Sequence, residues 1–483
     1  MKTNSLNISY NKQQIKSGIL HFGVGNFHRA HLQCYTNQLL SDESQSSWGI
    51  CGAMLMPQDE RLYKVLKAQD NNYSLTVCGR DGVNETQWIG SLVELLWSGE
   101  DSEAIINKVA DKDIKIITLT ITEGGYNTDK STGEFIFDNE MIQHDLENTQ
   151  NPKTVFGFVA EGLRRRKMAG NGAVTILSCD NLQHNGNTCK KVFTAFIEKQ
   201  DAELAEWVKT NVTFPNSMVD RITPATTIED IDRINQTLDV VDNAPVYCED
   251  FIQWVVEDDF IAGRPAWEKV GVEFTDDVTP YENMKLSLLN ASHTLLSYPS
   301  MLSGFRKVDV AMKDDRIIKF VRTFMDKDVT PYVPAPKNTD LDVYKQTLVE
   351  RFANSAVSDQ IARLCGDGAS KFPVYVMPIA SKMVENGDDM IRVAYLIAAY
   401  RHYLKYQKDD RGETFTLFEP WLTEGDFEVI NSDDAVAFLA LEPFSSVDLA
   451  AHEPFKTKYL KLVEQIKAQG AMSVLELLEL LNK

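Results

Sequence analysis

The chain has 483 residues, of which 43% are hydrophobic and 25% charged, and its formal net charge is −21. A chain of this length and composition can build two or three globular domains around large apolar cores. The strongly acidic balance argues against nucleic acid and anionic membrane surfaces as partners, because both repel negative charge.

The sequence carries no recognisable export or membrane signal. The segment Met1–Ser5 lacks the apolar core and cleavage site of a secretory signal, and no run approaches the roughly 20 apolar residues of a membrane span. The seven cysteines form no CxxC pair, which predicts buried thiols, no disulfide framework and no zinc-ligand cluster. We therefore expect a cytoplasmic protein without a metal site.

The first predicted strand, Ile19–Val24, runs into a glycine pair at the start of a helix. Gly23 allows a tight turn, and Gly25 lets backbone approach a pyrophosphate whose charge the helix N-terminus would meet. His28 stands where the usual fingerprint has a third glycine, and a GxG pair alone is weak evidence. Its position at the first βα turn strengthens it, so Gly23, Gly25 and Phe27 are candidate cofactor-binding residues.

The second predicted strand, Trp48–Leu55, is followed by Asp59. An acidic side chain there could accept hydrogen bonds from both hydroxyls of the adenosine ribose and would repel a 2′-phosphate, which favours NAD over NADP. An alternative of nearly equal weight is that Asp59 caps the helix containing Arg61–Ala68.

Further predicted strands alternate with helices, which indicates a mostly parallel α/β sheet. They cover Tyr73–Cys78, Ile114–Thr122, Ala173–Ser178 and Val246–Trp254. The expected fold class is α/β, with an N-terminal Rossmann-type dinucleotide-binding domain followed by a mainly α-helical C-terminal domain.

Polar residues follow two of these strands at the ends where ligands bind in parallel sheets. Glu123 follows the fourth predicted strand in Glu-Gly-Gly-Tyr, and Asn181 follows the fifth in Ser-Cys-Asp-Asn-Leu. A carboxylate and an amide suit a polar, hydroxylated ligand, although ordinary turn chemistry would use the same residue types.

The second half of the chain has helix-type spacing, and we place the domain boundary near residue 276. The expected domains are 1–276, which binds the dinucleotide, and 277–483, which is helical and carries the substrate and catalytic residues. Predicted helical segments are Ile361–Leu364, Met390–Lys405, Asp434–Leu441, Thr457–Ala468 and Ser473–Leu481, with a polar loop at Lys327–Thr339.

A helix after this boundary has a well-marked start, with Thr279 predicted as N-cap, Pro280 at the first helical position and Glu282 completing a capping box. At about 100° per residue, Asn290 lies about 140° and His293 about 80° around the helix from Lys285. All three fit one broad face. A lysine fixed among apolar neighbours can lose its proton near neutral pH, which makes Lys285 a candidate base.

The plain alternative is a surface lysine, a capped asparagine and a core histidine. Two Tyr-x-x-x-Lys spacings, Tyr63–Lys67 and Tyr281–Lys285, are interpreted as coincidences, because the glycine pattern and the chain length do not suit short-chain dehydrogenases. His28 and His31 lack nearby carboxylate or thiolate ligands, so we expect them to pack around the turn.

Several ordered motifs together resemble the polyol-specific long-chain dehydrogenases and reductases over nearly the whole length. The helix motif corresponds to that family's Lys-x4-Asn-x2-His pattern. The other matching segments are Gly23–His31, Thr120–Tyr126, Ser178–Leu182, Met218–Pro224 and Gly263–Glu268.

The resemblance implies roles for the candidate residues, with both domains contributing. Lys285 would be the general base, and Asn181 and Asn290 would hold and polarise the reacting oxygen as an oxyanion hole does. His293 would hydrogen-bond that oxygen or its neighbour.

The same resemblance extends to the substrate side of the site. Asp220 would position a substrate hydroxyl, and Glu123 would help proton exit near the lysine. Arg363 and Lys371 would be substrate-side cations.

The implied activity is metal-independent, NAD-dependent interconversion of a polyol and a ketose, with D-mannitol and D-fructose as first choice. Fructuronate or tagaturonate reduction, and arabinitol or sorbitol specificity, remain alternatives. A rival of another class is a nucleotide sensor that binds NADH without catalysis, and retention of Lys285, Asn290 and His293 speaks against it. The expected partner is a small polyol or ketose, with no nucleic acid or membrane, and the resemblance is compatible with a monomer.

Overall fold

A computed structural model describes residues 8–129, 132–238 and 241–481, so the Met1–Ser5 segment lies outside the described residues. The chain divides into two compact units, one ending at Thr279 and the other beginning at Pro280.

The first unit contains all the named strands. In chain order they are β1 (Ser17–Phe22), β2 (Gly49–Met54), β3 (Tyr73–Cys78), β4 (Asn84–Ile89), β5 (Leu92–Trp97), β6 (Ile116–Leu119), β7 (Val174–Ser178), β8 (Val212–Thr213), β9 (Ser217–Asp220), β10 (Val246–Glu249), β11 (Gln253–Glu257) and β12 (Glu273–Thr275).

A six-stranded sheet of order β5-β2-β1-β6-β7-β8 forms the centre of this unit, and its neighbouring strands are all parallel. Strands β1, β2, β6 and β7 are buried along their whole length, as expected where helices cover both faces of a parallel sheet. The remaining strands form two three-stranded sheets, of order β10-β3-β4 and β12-β11-β9. The predicted parallel α/β fold is confirmed.

Helices of the first unit connect and cover these strands. They are α1 (Asn26–Ala30), α2 (Leu32–Leu39), α3 (Glu60–Ala68), α4 (Ser98–Ala110), α5 (Thr122–Gly125), α6 (Glu140–Glu147), α7 (Val155–Ala169), α8 (Asn185–Gln200), α9 (Ala202–Asn211) and α10 (Ile228–Leu238).

Two strand predictions need correction. The segment Val246–Trp254 is two strands, β10 and β11, which belong to different sheets. Between them lies Asp250, which forms an ion pair with Arg80. The strand predicted over Ile114–Thr122 ends at Leu119. The Thr120 N–H still donates to the Phe22 carbonyl of β1, but the N–H groups of Ile121 and Thr122 donate to the Asp180 side chain instead of to a strand.

The second unit is helical throughout its named elements. It contains α11 (Thr279–Met284, which spans the division), α12 (Ala291–Leu302), α13 (Val308–Ala311), α14 (Asp315–Thr323), α15 (Leu341–Phe352), α16 (Ile361–Cys365), α17 (Gly368–Lys371), α18 (Met377–Asn386), α19 (Ile391–Tyr406), α20 (Glu424–Asn431), α21 (Glu453–Gln469) and α22 (Ala471–Leu481). Three π-helical segments, Lys285–Asn290, Phe324–Val329 and Phe372–Val376, each follow directly on an α-helix.

The predicted helices of this unit are largely confirmed, with two exceptions. Only Ala437–Ala440, a 3₁₀ turn, forms within the predicted helix Asp434–Leu441. The predicted loop Lys327–Thr339 begins inside a π-helix, where Asp328 is buried in a hydrogen-bonded ion pair with Arg392 at 2.6 Å. A polar sequence can therefore be core when its charges are paired.

All seven cysteines are buried with free thiols. Among the described residues, no helix combines the length and the apolar character needed to cross a membrane.

Candidate active site

The glycine turn after β1 has the geometry that its sequence predicts. Gly23 has φ +97°, and a Cβ atom there would lie 2.0 Å from the carbonyl oxygen of Thr120, so no other residue fits without movement. Gly25 precedes α1 and is exposed, and the nearest atom to a Cβ placed there would be 4.0 Å away. The backbone at Gly25 is therefore open to close approach by a ligand.

Two side chains in α1 fasten this turn to distant backbone. Asn26 Nδ2 donates to the carbonyl of Pro224 at 3.2 Å, and Arg29 donates to Asn26 Oδ1 and to the carbonyl of Ala244, both at 2.6 Å. Phe27, half-buried, stacks on His31 with ring centroids 4.9 Å apart. Asn26 thus has a structural role that its place in the sequence motif did not indicate.

Buried histidines support the turn from behind. The rings of His21 and His28 stack 3.2 Å apart, and His21 hydrogen-bonds Thr118 Oγ1 and Thr120 Oγ1. Burial lowers the pKa of His21 to about 3, so the ring is neutral. His31 Nε2 lies 3.0 Å from the carbonyl oxygen of Gln253. The expectation that His28 and His31 pack around the turn is confirmed.

Asp59 lies at the end of a 3₁₀ turn, Pro57–Asp59, directly before α3. Its Oδ2 atom accepts a hydrogen bond from the Met56 N–H at 3.0 Å. The side chain therefore closes the turn after β2. This differs from the capping of α3 proposed as the alternative, because α3 receives no side-chain cap from it.

The loops after β6 and β7 are joined by one carboxylate, an arrangement we call the Asp180 clamp. Asp180 accepts hydrogen bonds from the N–H groups of Ile121 at 3.0 Å and Thr122 at 2.8 Å, and from the Tyr126 hydroxyl at 2.8 Å. Thr122 has φ +64°, a conformation that costs a β-branched residue about 1–3 kcal/mol. The clamp holds this strained residue immediately before Glu123, which is exposed.

Asn185, at the start of α8, ties the β7 end to β9. Its Nδ2 atom donates to the carbonyls of Asp180 at 3.1 Å and Ser217 at 2.8 Å, and its Oδ1 accepts from the Ser217 N–H at 2.8 Å. Asp220, only 4% exposed, is the last residue of β9. Asp180 and Asn185 together thus link the three short segments that carry the candidates Glu123, Asn181 and Asp220.

In the second unit, the predicted lysine helix exists but its geometry differs from the prediction. The helix begins at Thr279, so Thr279 is its first residue and the predicted N-cap position is wrong by one residue. The Thr279 N–H donates to Asp277 Oδ1 at 2.9 Å. From Lys285 to Asn290 it is a π-helix, in which the Ala291 N–H reaches the carbonyl of Leu286, five residues back.

The π-helix makes the predicted angles wrong. Because hydrogen bonds there join residues five apart, Asn290 lies closer to the side of Lys285 than the roughly 140° expected for a regular helix. Lys285 is 8% exposed, and its neighbours Leu286, Leu288 and Leu289 are buried. Single π-turns of this kind are rare and are frequent at functional sites.

His293 and Asn290 follow on the same helical run. The His293 ring packs on Phe352 with centroids 4.3 Å apart. Among the described residues, Asn290 Oδ1 is buried and accepts no hydrogen bond, whereas the Asn290 carbonyl accepts one from Thr294.

Arg363 and Lys371 both have protein partners. Arg363 Nε donates to Asp359 Oδ1 at 2.9 Å. Lys371 Nζ donates to the carbonyls of Arg363, Leu364 and Gly366, which accounts for the three N–H bonds of an ammonium group. Burial, followed by the Arg363 charge, lowers the pKa of Lys371.

A second carboxylate clamp, the Glu419 clamp, holds the segment between these two cations. Glu419 accepts hydrogen bonds from the N–H groups of Gly368 at 2.8 Å and Ala369 at 3.1 Å, and from the Tyr400 hydroxyl at 3.0 Å. The preceding residue, Asp367, has φ +61°. Burial raises the pKa of Glu419.

Metal-ligating side chains do not converge in the parts of the chain that the structure describes, where no three His, Cys, Asp or Glu residues are placed to hold an ion.

Comparison with known protein families identifies the family of this chain. The family model described as the mannitol dehydrogenase Rossmann domain matches residues 17–269, and the one described as the mannitol dehydrogenase C-terminal domain matches residues 277–467. The chain belongs to the mannitol dehydrogenase family. The predicted family and enzyme class are confirmed.

Relatives within the mannitol dehydrogenase family match over almost the whole chain. A polyol:NADP oxidoreductase of Gluconobacter oxydans is 40% identical, with 96% of each protein covered. A mannitol 2-dehydrogenase of Aspergillus fumigatus is 37% identical, covering 95% of this chain and 93% of its own.

Among solved structures, Pseudomonas fluorescens mannitol 2-dehydrogenase in a ternary complex with NAD and D-mannitol has a TM-score of 0.88 and 41% identity, covering 99% of this chain and 96% of its own. A substrate-free D-sorbitol dehydrogenase has the same TM-score at 38% identity, covering 96% and 95%.

Sequence reasoning missed Asp180, Asn185 and Glu419 as residues that shape these sites. Asp180 stands inside a motif already singled out, next to Asn181, so its charge was the available signal. Nothing local indicated its partners, which lie 58 and 59 residues away in the chain.

Proposed function

We propose that this member of the mannitol dehydrogenase family interconverts D-mannitol and D-fructose with NAD, without a metal ion. The observation that carries the proposal is the 41% identity and TM-score of 0.88, over 99% of the chain, with an enzyme solved together with NAD and D-mannitol. The family alone would leave the polyol open.

The glycine turn supports the cofactor part of the proposal. Gly23 and Gly25 leave room for a pyrophosphate, with Phe27 beside them in α1, and the start of α1 would meet its charge. NAD, when bound, would supply the hydride acceptor for polyol oxidation. The Asp59 carboxylate after β2 would accept from the ribose hydroxyls and repel a 2′-phosphate.

The Gluconobacter relative is named for NADP, so cofactor choice needs its own test. We expect wild-type kcat/KM to favour NAD, and Asp59→Asn to reduce that preference. Equal use of both cofactors by the wild type would contradict the assignment to Asp59.

Lys285 is proposed as the general base and acid. Its near-complete burial among leucines disfavours the charged form, so a neutral amine could take the hydroxyl proton of the polyol. In the reverse direction the protonated amine would donate to the developing alkoxide. The π-turn, which brings Asn290 closer to the side of Lys285 than a regular helix does, would direct both groups at one oxygen.

The asparagines are proposed to stabilise the reacting oxygen. The amide N–H groups of Asn181 and Asn290 would polarise it. Asn290 Oδ1, which accepts no hydrogen bond from the described residues, could accept one from an adjacent hydroxyl. His293 would hydrogen-bond the same oxygen or its neighbour.

Asp220 and Glu123 complete the proposed set in the first unit. Asp220 would bind a substrate hydroxyl, and Glu123 would pass protons to solvent. Arg363 would contact the far end of the substrate with the donors left by its contact to Asp359. Lys371, whose three donors already bind carbonyls, would act there through its charge alone.

The proposal is tested first by NADH oxidation with D-fructose, D-fructuronate and L-sorbose as separate substrates. Rapid turnover of fructose with little on the others supports it. Preference for fructuronate would place the protein among the hexuronate reductases of the same family, and would overturn the substrate while keeping the fold.

The mechanism is tested by Lys285→Ala, which should abolish most turnover while leaving NADH affinity close to wild type. Asn290→Ala should cost about 10²–10³ in rate, as deletion of an oxyanion-hole donor does. Wild-type turnover by the lysine variant would contradict the mechanism.

We further propose a cytoplasmic monomer. Seven buried free thiols suit a reducing compartment, and the net charge of −21 opposes self-association. Light scattering at low salt would test the monomer, since a stable dimer there would contradict it.

A further inference from the structure

One carboxylate lies between two of the proposed catalytic residues. Asp180 is covalently next to Asn181, and through space it binds the two backbone N–H groups that precede Glu123. It is itself 8% exposed, whereas Thr122, Glu123 and Asn181 are exposed. A buried carboxylate thus holds the exposed residues Thr122 and Glu123 in place.

The turn held by this carboxylate would not keep its shape unaided. Thr122 adopts φ +64°, and the two residues after Glu123 are glycines, Gly124 and Gly125. A β-branched residue relaxes readily out of the left-handed region, and glycines offer many alternative conformations. The two hydrogen bonds to Asp180 are therefore the restraint that orients Glu123.

We propose that Asp180 is a positioning residue for catalysis, whose ionised carboxylate fixes the Thr122–Glu123 turn and so places the Glu123 carboxylate for proton transfer. This inference rests on the proposed function of Glu123. It goes beyond it in assigning the orientation of Glu123 to a second carboxylate that need not touch substrate or cofactor.

The surroundings of Asp180 give the clamp a pH dependence. Burial raises the pKa of Asp180 to about 6; the hydrogen bonds from Ile121, Tyr126 and Thr122 oppose this rise, and the Glu123 charge adds to it. Two buried thiols, Cys179 and Cys189, also face it, and Asp180 contributes to the raised pKa of each. Below about pH 6 the carboxylate takes up a proton, and the hydrogen bonds from the two N–H groups weaken because they are no longer charge-assisted.

The test is a pH profile of fructose reduction, the direction in which Lys285 begins protonated. We expect wild-type kcat to fall below about pH 6 as Asp180 protonates. Asp180→Asn keeps the size but cannot accept both N–H groups, so kcat should fall by up to about 10²-fold and its profile between about pH 5 and 7 should become flat. NADH affinity should stay at the wild-type value, because the glycine turn is unchanged.

Tyr126→Phe is the matched control. It removes one donor to Asp180 and leaves both backbone hydrogen bonds, so kcat at neutral pH should remain near wild type. Because the Tyr126 hydrogen bond lowers the pKa of Asp180, its loss should move the acid limb to higher pH. A purely structural role for Asp180 would not produce this shift.

The double variant Asp180→Asn with Glu123→Gln separates this inference from the proposed function. If Asp180 acts through Glu123, the double variant should be no slower than Glu123→Gln alone. Additive losses, or a wild-type profile for Asp180→Asn, would overturn the inference while the proposed reaction stands. A wild-type enzyme inactive on every ketose tested would instead refute the proposed function.

Discussion

The two units use the same device, a carboxylate that accepts two successive backbone N–H groups and a tyrosine hydroxyl beside a residue with positive φ. In the first unit Asp180 holds Ile121 and Thr122, and in the second Glu419 holds Gly368 and Ala369. The strained residue is Thr122 in one case and Asp367 in the other. Aspartate visits the left-handed region more readily than a β-branched residue, so the first clamp stores more strain.

The difference lies in what each clamp presents. The Asp180 clamp ends in an exposed carboxylate, Glu123, whereas the Glu419 clamp precedes Lys371, whose ammonium already binds three carbonyls. Similar hydrogen bonding is therefore followed by an exposed carboxylate in the first unit and by a fully hydrogen-bonded ammonium group in the second. The partners of the clamped residue, not the clamp, distinguish the two uses.

The largest expected difference is in turnover. Glu419→Gln, the isosteric counterpart of Asp180→Asn, should keep kcat within a few-fold of wild type, while Asp180→Asn lowers it by up to about 10²-fold. Steady-state ketose reduction at neutral pH measures both. Equal losses in the two variants would erase the distinction drawn between the clamps.

Stability should respond to pH in a way that opposes activity. The pKa of Asp180 is raised from 3.8 to about 6, so the folded protein binds more protons there than the unfolded chain and loses stability as pH rises through that interval. The full loss corresponds to about 3 kcal/mol.

Asp180→Asn lacks this titration, so its free energy of unfolding relative to wild type should improve by up to about 3 kcal/mol between pH 4 and 7. Urea unfolding at several pH values measures it. Glu419→Gln should change in the same direction, because burial also raises the pKa of Glu419. A variant that gains relative stability yet loses turnover would mark Asp180 as kept for function.

Lys371→Met tests whether the lysine that follows the Glu419 clamp stabilises the second unit or binds substrate. Loss of its hydrogen bonds to the Leu364 and Gly366 carbonyls should lower the free energy of unfolding by about 1–3 kcal/mol. KM for a neutral ketose should rise only a few-fold, because Lys371 contributes its charge and has no donor left to bind the ketose. Arg363→Gln is the companion variant, since it leaves those carbonyls capped. A large rise in KM without loss of stability would instead show that Lys371 binds substrate.

Thr122→Gly should have the smallest effect. Glycine accepts φ +64° without strain, so the folded state should gain about 1 kcal/mol at most, partly offset by the greater freedom of the unfolded chain. Turnover should fall less than in Asp180→Asn, because both N–H groups remain. Asp367→Gly, the matched change, should gain less stability than Thr122→Gly in the same denaturant series.

The sequence was most informative where one residue type is obligatory. A turn at φ +97° against the Thr120 carbonyl admits only glycine, so the turn after β1 was predictable from the glycine pair together with its position at the first βα turn. The buried parallel strands were readable for a similar reason, since their runs are apolar on both faces.

The helix of Lys285 shows the opposite case. Its start could be placed within a residue, but the π-turn has no compositional mark, because its six residues would read equally well as α-helix. It contacts the π-segment Phe372–Val376, far away in sequence. The Asp180 clamp was hidden for the same reason: its donors and acceptor are remote in the chain, and propensities report only on near neighbours.

A π-turn is, in effect, one residue more than a regular helix would hold between Met284 and Ala291. Wound as an ordinary α-helix of the same length, this stretch would place Asn290 about 140° and His293 about 80° around the axis from Lys285. The π-turn changes those directions although it adds no side chain to the proposed mechanism. The length of this short segment is therefore as much a part of the proposed site as the residues it carries.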